Sequence, residues 1–161
     1  MLQPPTTLRK DFMRELSPAM LAELEAIRTR YHLSAGEVLF SHGETASRLV
    51  EIAAGTVKLW LDRPQQETLM LRLVRAGELL GLREVVTGKP HSVNAAAVTA
   101  VEYYGIPRKS FLDLMHRHFE VGFNVTRLLS AELSSAHAIL RSMVAESAPA
   151  TSRDRRRAEL R

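Results

Sequence analysis

Between residues 77 and 101 the chain reads GELLGLREVVTGKPHSVNAAAVTAV, and the side chains best suited to chemistry cluster there. They are Gly81, Arg83, Lys89, His91 and Ser92, with the apolar Leu82 and Val93 set among them. The pattern is that of an anion cradle. A glycine lets the backbone come close to a ligand. A helical turn, expected over 83–86, offers unpaired N–H groups and the positive end of the helix dipole. Ser92 adds a hydroxyl, Lys89 or Arg83 a fixed charge, and His91 a charge only when protonated. A plain loop between two strands would read similarly, so this stretch by itself leaves both readings open.

Other chemistries find less support. There is no cysteine, which removes disulfides, thiolate metal sites, cysteine nucleophiles and cysteine-held iron–sulfur clusters. Of six histidines, His116 and His118 lie two apart and diverge on a helix; no pair has the i, i+4 spacing of a helical metal site. Metal chemistry on a β-roll needs two closely spaced histidines and a glutamate, and His42, the first after Gly36, has no histidine two residues on. There is no G-x-S-x-G elbow. We therefore expect no catalytic residues, no metal and no enzyme.

The chain has 161 residues, 45% hydrophobic and 25% charged, the size and composition of one soluble domain. No run of eighteen apolar residues exists to cross a membrane. The start, MLQPPTTLRK, lacks the apolar core of a secretion signal. A cytoplasmic location without membrane contact is expected. Of the net charge of +4, the last ten residues contribute +3 through five arginines, one aspartate and one glutamate. Such a tail is a solvated terminus or a nucleic-acid contact.

The elements that must position the cradle follow from periodicity. Residues 1–7 are rich in proline and threonine, and 8–16 could form a helical turn. Ser17-Pro18 is an N-cap followed by proline at the first helical position, and Met20, Leu21, Leu24 and Ile27 recur at helical spacing, giving a helix over about 18–30. Short strands follow at 38–40, 48–53, 57–61 and 68–74, with glycine turns and a hairpin loop at 62–66, then a small-residue strand at 91–101 and a last strand at 102–106. That rhythm is an antiparallel sandwich or barrel. After Pro107 a short helix is expected at 110–116, and a long one from His118 or Phe119 to about Ala145. Leu129, Leu133, Ala136, Leu140 and Met143 step by four, three, four and three, a stripe that could pair with its twin in a homodimer. Val121, Val125 and Leu128 form a second face that could lie on the sheet. Burial of both faces within one domain is the competing reading.

This order resembles the cyclic nucleotide-binding domain of the catabolite activator/FNR family. Five segments carry the resemblance: AGEVLF with GE (35–40, 43–44), IAAGTVKL (52–59), GELLG (77–81), AVTAVE (97–102) and IPRKSF (106–111). The resemblance covers about residues 17–145. The resemblance implies a jelly roll with flanking helices, in which a ligand in the cradle shifts a long C-terminal dimerisation helix. It divides the chain into an extension (1–16), the jelly roll (17–117), the dimerisation helix (118–146) and a basic tail (147–161).

The departures bear on the ligand. In cyclic-AMP-binding members a glutamate follows the cassette glycine and holds the ribose hydroxyl; here that position is Leu82. Their phosphate-pairing arginine falls on His91, within His91-Ser92-Val93. Their adenine-contacting Thr-Ser pair falls on Ala136-His137. Losing the first two contacts is expected to cost on the order of two to four decades in affinity. No cofactor is certain; a cyclic nucleotide or another small anion is the expected candidate. The chain length after Met143 leads us to expect that the family's DNA-reading domain is absent here, so DNA would be reached only through a missing domain. The alternative is a ligand-free jelly-roll scaffold for dimerisation.

Overall fold

The computed structural model describes residues 16–62 and 68–147. The expected turn at 8–16, the hairpin loop at 62–66 and the basic tail at 147–161 therefore lie outside the described residues except for Leu16, Asp62 and Ser147.

Helix α1 spans Pro18–Ile27, and the Ser17 side chain caps it by accepting from the Met20 amide at 3.3 Å. It ends three residues before the expected boundary at 30. Arg28 is extended, and Thr29–Leu33 forms β1, paired with the last strand so that Tyr31 faces Tyr103. The tyrosine rings stack with centroids 5.1 Å apart. Cross-strand pairing here takes Thr29 and Arg30 out of the expected helix, just past its last apolar residue, Ile27.

The remaining strands are β2 (Val38–Phe40), β3 (Arg48–Ala54), β4 (Thr56–Leu61), β5 (Leu69–Arg75), β6 (Leu79–Leu80), β7 (Asn94–Ala97) and β8 (Val101–Pro107). They form two antiparallel four-stranded sheets, ordered β1-β8-β3-β6 and β2-β7-β4-β5. The fold is the jelly roll with flanking helices that the family resemblance implies. The expected single strand at 91–101 is instead β7 alone, followed by a turn at 98–100. The chain crosses there from one sheet to the other, which one straight strand could not do. Gly55, in the turn between β3 and β4, has φ +88°, and a Cβ there would sit 2.2 Å from the Ala100 carbonyl oxygen.

Strand β3 shows why the roll needs its helices. Leu49, Val50, Glu51 and Ile52 are all buried, because both faces of the strand are covered. Val50 and Ile52 join Phe40, Val57, Val74, Ala95 and Tyr103 between the sheets. Leu49, with Ile106, joins the second core, beneath the helices. Glu51 is ion-paired with Arg28 at 3.0 Å, and that guanidinium lies 3.7 Å over the Tyr104 ring.

Helix α2 is Leu82–Thr87, α3 is Arg108–Arg117 and α4 is Phe119–Ser147. Helix α3 begins two residues before the expected start, and Arg108 in its first turn donates to the Val85 carbonyl at 2.8 Å, tying it to α2. On α4, Val121, Val125 and Leu128 are buried in one cluster with Leu24, Phe111 and Leu114 as well as Leu49 and Ile106. This face therefore packs largely on the other helices, with only the outer side of one sheet reached. The other stripe is open: Leu129 is half-buried, Leu133 and Leu140 are each 58% exposed, and Ala136 is exposed. The side chain of Met143 lies outside the description.

Candidate functional site

A cavity of about 700 Å³ opens between the segment β6–α2–β7 and the middle of α4. That volume is within the range of small-molecule sites. Gly81 turns the chain from β6 into α2 with φ +78°, a conformation that suits glycine. A Cβ on Gly81 would lie 3.3 Å from His91 Cε1, so the two ends of the segment touch.

Seven of the expected ligand residues line this cavity: Gly81, Leu82, Arg83, His91, Ser92, Val93 and Ala136. Lys89 and His137 do not. Lys89 is exposed beyond the rim in the α2–β7 turn, and His137 sits one step of about 100° around α4 from Ala136. Of the two charge donors expected, then, only Arg83 reaches the cavity. Leu82 serves both the cavity wall and the buried helical cluster, so a charged side chain there would have to displace core.

Arg83 is not free. It donates to Glu84 Oε1 at 2.5 Å and also to Ser92 Oγ, and the Ser92 hydroxyl donates to the same Glu84 oxygen at 3.2 Å. Burial pushes the Glu84 carboxyl up, but Arg83, the local backbone and Ser92 outweigh it and hold it below the usual carboxylate range. The sequence reading missed Glu84. Its signal was available: a glutamate beside an arginine in the first turn of a helix, eight residues before a serine.

His91 is 6% exposed, and its ring lies flat on Phe40. Its backbone is fixed by exchange with Gly43 and Glu44, whereas its ring has no hydrogen bond among the described residues. Burial pushes the imidazole pKa down, with Glu84 and Glu44 opposing more weakly, so it is neutral near pH 7 and supplies no positive charge.

Three more ionisable residues were not expected. Arg72 and Glu78 pair at 2.6 Å on the sheet side. Glu132 reaches the cavity from α4; it is exposed at the rim, yet enough protein surrounds it that desolvation raises its pKa against the pull of Arg72 and Arg83. The rest of the lining is mostly leucine, including Leu59, Leu79, Leu80, Leu128 and Leu129, with Phe40 and Ser135.

The remaining histidines play other parts. His116 Nδ1 lies 2.7 Å from the Leu112 carbonyl, and His118 Nε2 lies 3.0 Å from Glu23, which also pairs with Arg117 at 2.5 Å. Among the described residues no three His, Asp or Glu side chains converge as a metal site would require. No helix among them is long and apolar enough to cross a membrane.

Comparison with known proteins agrees with this architecture. The chain superposes on the catabolite activator protein of Thermus thermophilus with a TM-score of 0.75 and 25% identity, covering 83% of this chain and 62% of that one. The N-terminal domain of a transcriptional regulator from Streptomyces coelicolor matches with a TM-score of 0.69 at 24% identity, covering 84% and 94%. The sensor domain of the regulator DNR from Pseudomonas aeruginosa matches with a TM-score of 0.65 at 22% identity, covering 80% and 92%; these last two likenesses concern the fold alone. Among curated proteins, the lysophospholipase NTE1 of Pyricularia oryzae is 22% identical over 121 residues, 75% of this chain and 8% of that protein's length. The chain thus spans a small part of that enzyme and under two thirds of the Thermus activator. The sequence profile of the cyclic nucleotide-binding domain matches residues 30–118, from β1 through the Gly81–His91 cradle to the end of α3, and the chain belongs to that family.

Proposed function

We propose that this chain is the effector-sensing domain of a regulator of the catabolite activator/FNR type, acting as a homodimer through α4 in the cytoplasm. Any DNA contact is made by a domain outside this chain. One observation carries the reading: the cavity has the cradle segment as one wall and the middle of α4 as the other. A ligand that fits it touches the sensing segment and the helix that would transmit the signal. Differential contact of this kind is what lets a ligand bias a two-state element.

A second reading, a ligand-free dimerisation scaffold, is favoured by the closed Arg83–Glu84–Ser92 set and by His91 packed on Phe40. Both leave the cradle's polar groups already partnered or covered.

The test is titration of the chain with cyclic AMP, cyclic GMP and a panel of small cationic, neutral and anionic compounds, read by amide NMR. The sensing reading expects at least one compound to shift resonances in 81–93 and 128–136 together. If no compound moves the cradle while the protein sediments as a dimer, the scaffold reading stands instead.

A further inference from the structure

The charges around the cavity are unevenly satisfied. Both guanidiniums are committed, Arg72 to Glu78 at 2.6 Å and Arg83 to Glu84 at 2.5 Å. An incoming anion that drew Arg83 away from Glu84 would uncover that carboxylate. The Glu84 carboxylate is buried and would keep only the Ser92 hydroxyl and the local backbone, and a buried charge stripped of its charged partner is strongly destabilising. Three carboxylates face two guanidiniums and a neutral imidazole, so an anion also meets an unfavourable field.

Two polar groups on opposite walls have no internal hydrogen-bond or ion-pair partner among the described residues. One is the His91 ring on the cradle. The other is the Glu132 carboxyl on α4. Beside them the walls are mostly apolar, with leucine the commonest residue.

We propose that the cavity takes an amphipathic organic cation, an ammonium on an apolar body, with its charge at Glu132 and its body against Leu79, Leu80, Leu128 and Leu129. This rests on the effector-sensing reading and names the class of effector. An ammonium supplies the direct ion pair that Glu132 lacks and leaves the Arg83–Glu84 pair intact. The aliphatic body displaces water from the leucine walls, the usual source of affinity in such pockets. Placed at Glu132, the charge acts directly on α4.

The test uses three probes with one apolar body: hexylammonium, 1-hexanol and hexanoate, each titrated into the full chain and followed by amide NMR. We expect hexylammonium to shift resonances of Gly81, His91, Leu129 and Glu132, and to bind at least ten-fold more tightly than hexanoate, with hexanol between them. In Glu132→Gln, hexylammonium should fall to within about three-fold of hexanol, while hexanol is unchanged; Glu132 is exposed at the rim, and an unchanged melting curve verifies that the variant folds. Hexanoate or cyclic AMP binding more tightly than hexylammonium overturns the cation assignment, and so does hexylammonium binding no better than hexanol. In those cases shifts at the cavity still support an effector site. No cavity shifts with any of the probes overturns the effector-sensing reading, and the cation assignment with it.

Discussion

The imidazole of His91 lies on the ring of Phe40 with centroids 3.7 Å apart and planes 7° from parallel. This contact joins the end of the cradle to strand β2 and lays His91 against a residue of the core between the sheets. The ring is desolvated there, and its protonation is disfavoured in the folded state.

A pH dependence follows. A histidine whose pKa is depressed on folding binds fewer protons in the folded than in the unfolded chain. Its contribution is fully present above the unfolded value of about 6.5 and is lost as the pH falls through that value towards the folded one. The melting temperature of the wild type should therefore fall more steeply between pH 7.5 and pH 5 than that of His91→Phe, which keeps the stack and removes the titration. Parallel curves for the two proteins would show that His91 titrates normally.

The Gly55 turn predicts a graded pair of substitutions. Gly36 and Gly55 have nearly the same φ, +89° and +88°, but a Cβ on Gly36 meets nothing within 4 Å. Gly36→Ala should cost roughly 1–2 kcal/mol from the left-handed conformation alone. Gly55→Ala adds a clash with the fixed Ala100 carbonyl, about 1–3 kcal/mol more. Urea unfolding of the two variants checks the difference; equal midpoints would mean that the turn relaxes freely.

Asn94 predicts a local effect with its own reporter. It is buried, accepts from the His42 amide at 2.8 Å, and donates to Asp62 at 2.9 Å, which in turn accepts from the Trp60 indole at 3.1 Å. Asn94→Ala should destabilise by about 1–3 kcal/mol, since the His42 amide loses its acceptor and Asp62 one of its donors. It should also alter the emission of Trp60, the single tryptophan of the chain. Unchanged stability and emission would mean that water replaces the amide without loss.

The proposed dimer predicts a separation of assembly from folding. Leu133 and Leu140 are exposed on the same stripe of α4, away from the buried Val121, Val125 and Leu128. Leu133→Glu with Leu140→Glu should convert a dimer into a monomer in sedimentation, with the β-sheet signal in circular dichroism preserved. A wild type that sediments as a monomer at 100 µM would remove the proposed seam.

The sequence by itself determined the features that arise from neighbouring residues. Ser17-Pro18 capped α1 where expected, the glycine turns separated the strands, and the two apolar faces of α4 were legible from a repeat of three and four, one of them buried as Val121, Val125 and Leu128. The short-range pattern also held the family resemblance, because its segments are turns and strand ends. Only the tertiary structure decided what depends on partners far along the chain. The end of α1 gave way to β1 because Thr29–Leu33 pairs with a strand some seventy residues away. Residues 91–101 broke into two because neighbouring positions belong to opposite sheets. The charges of the site were the least legible. Arg83, read as a free donor, is paired with Glu84, and Glu132 enters from another element altogether. Periodicity reports which face of an element is covered; which charge meets which, and what is left unpaired, is settled only when distant elements enclose the same space.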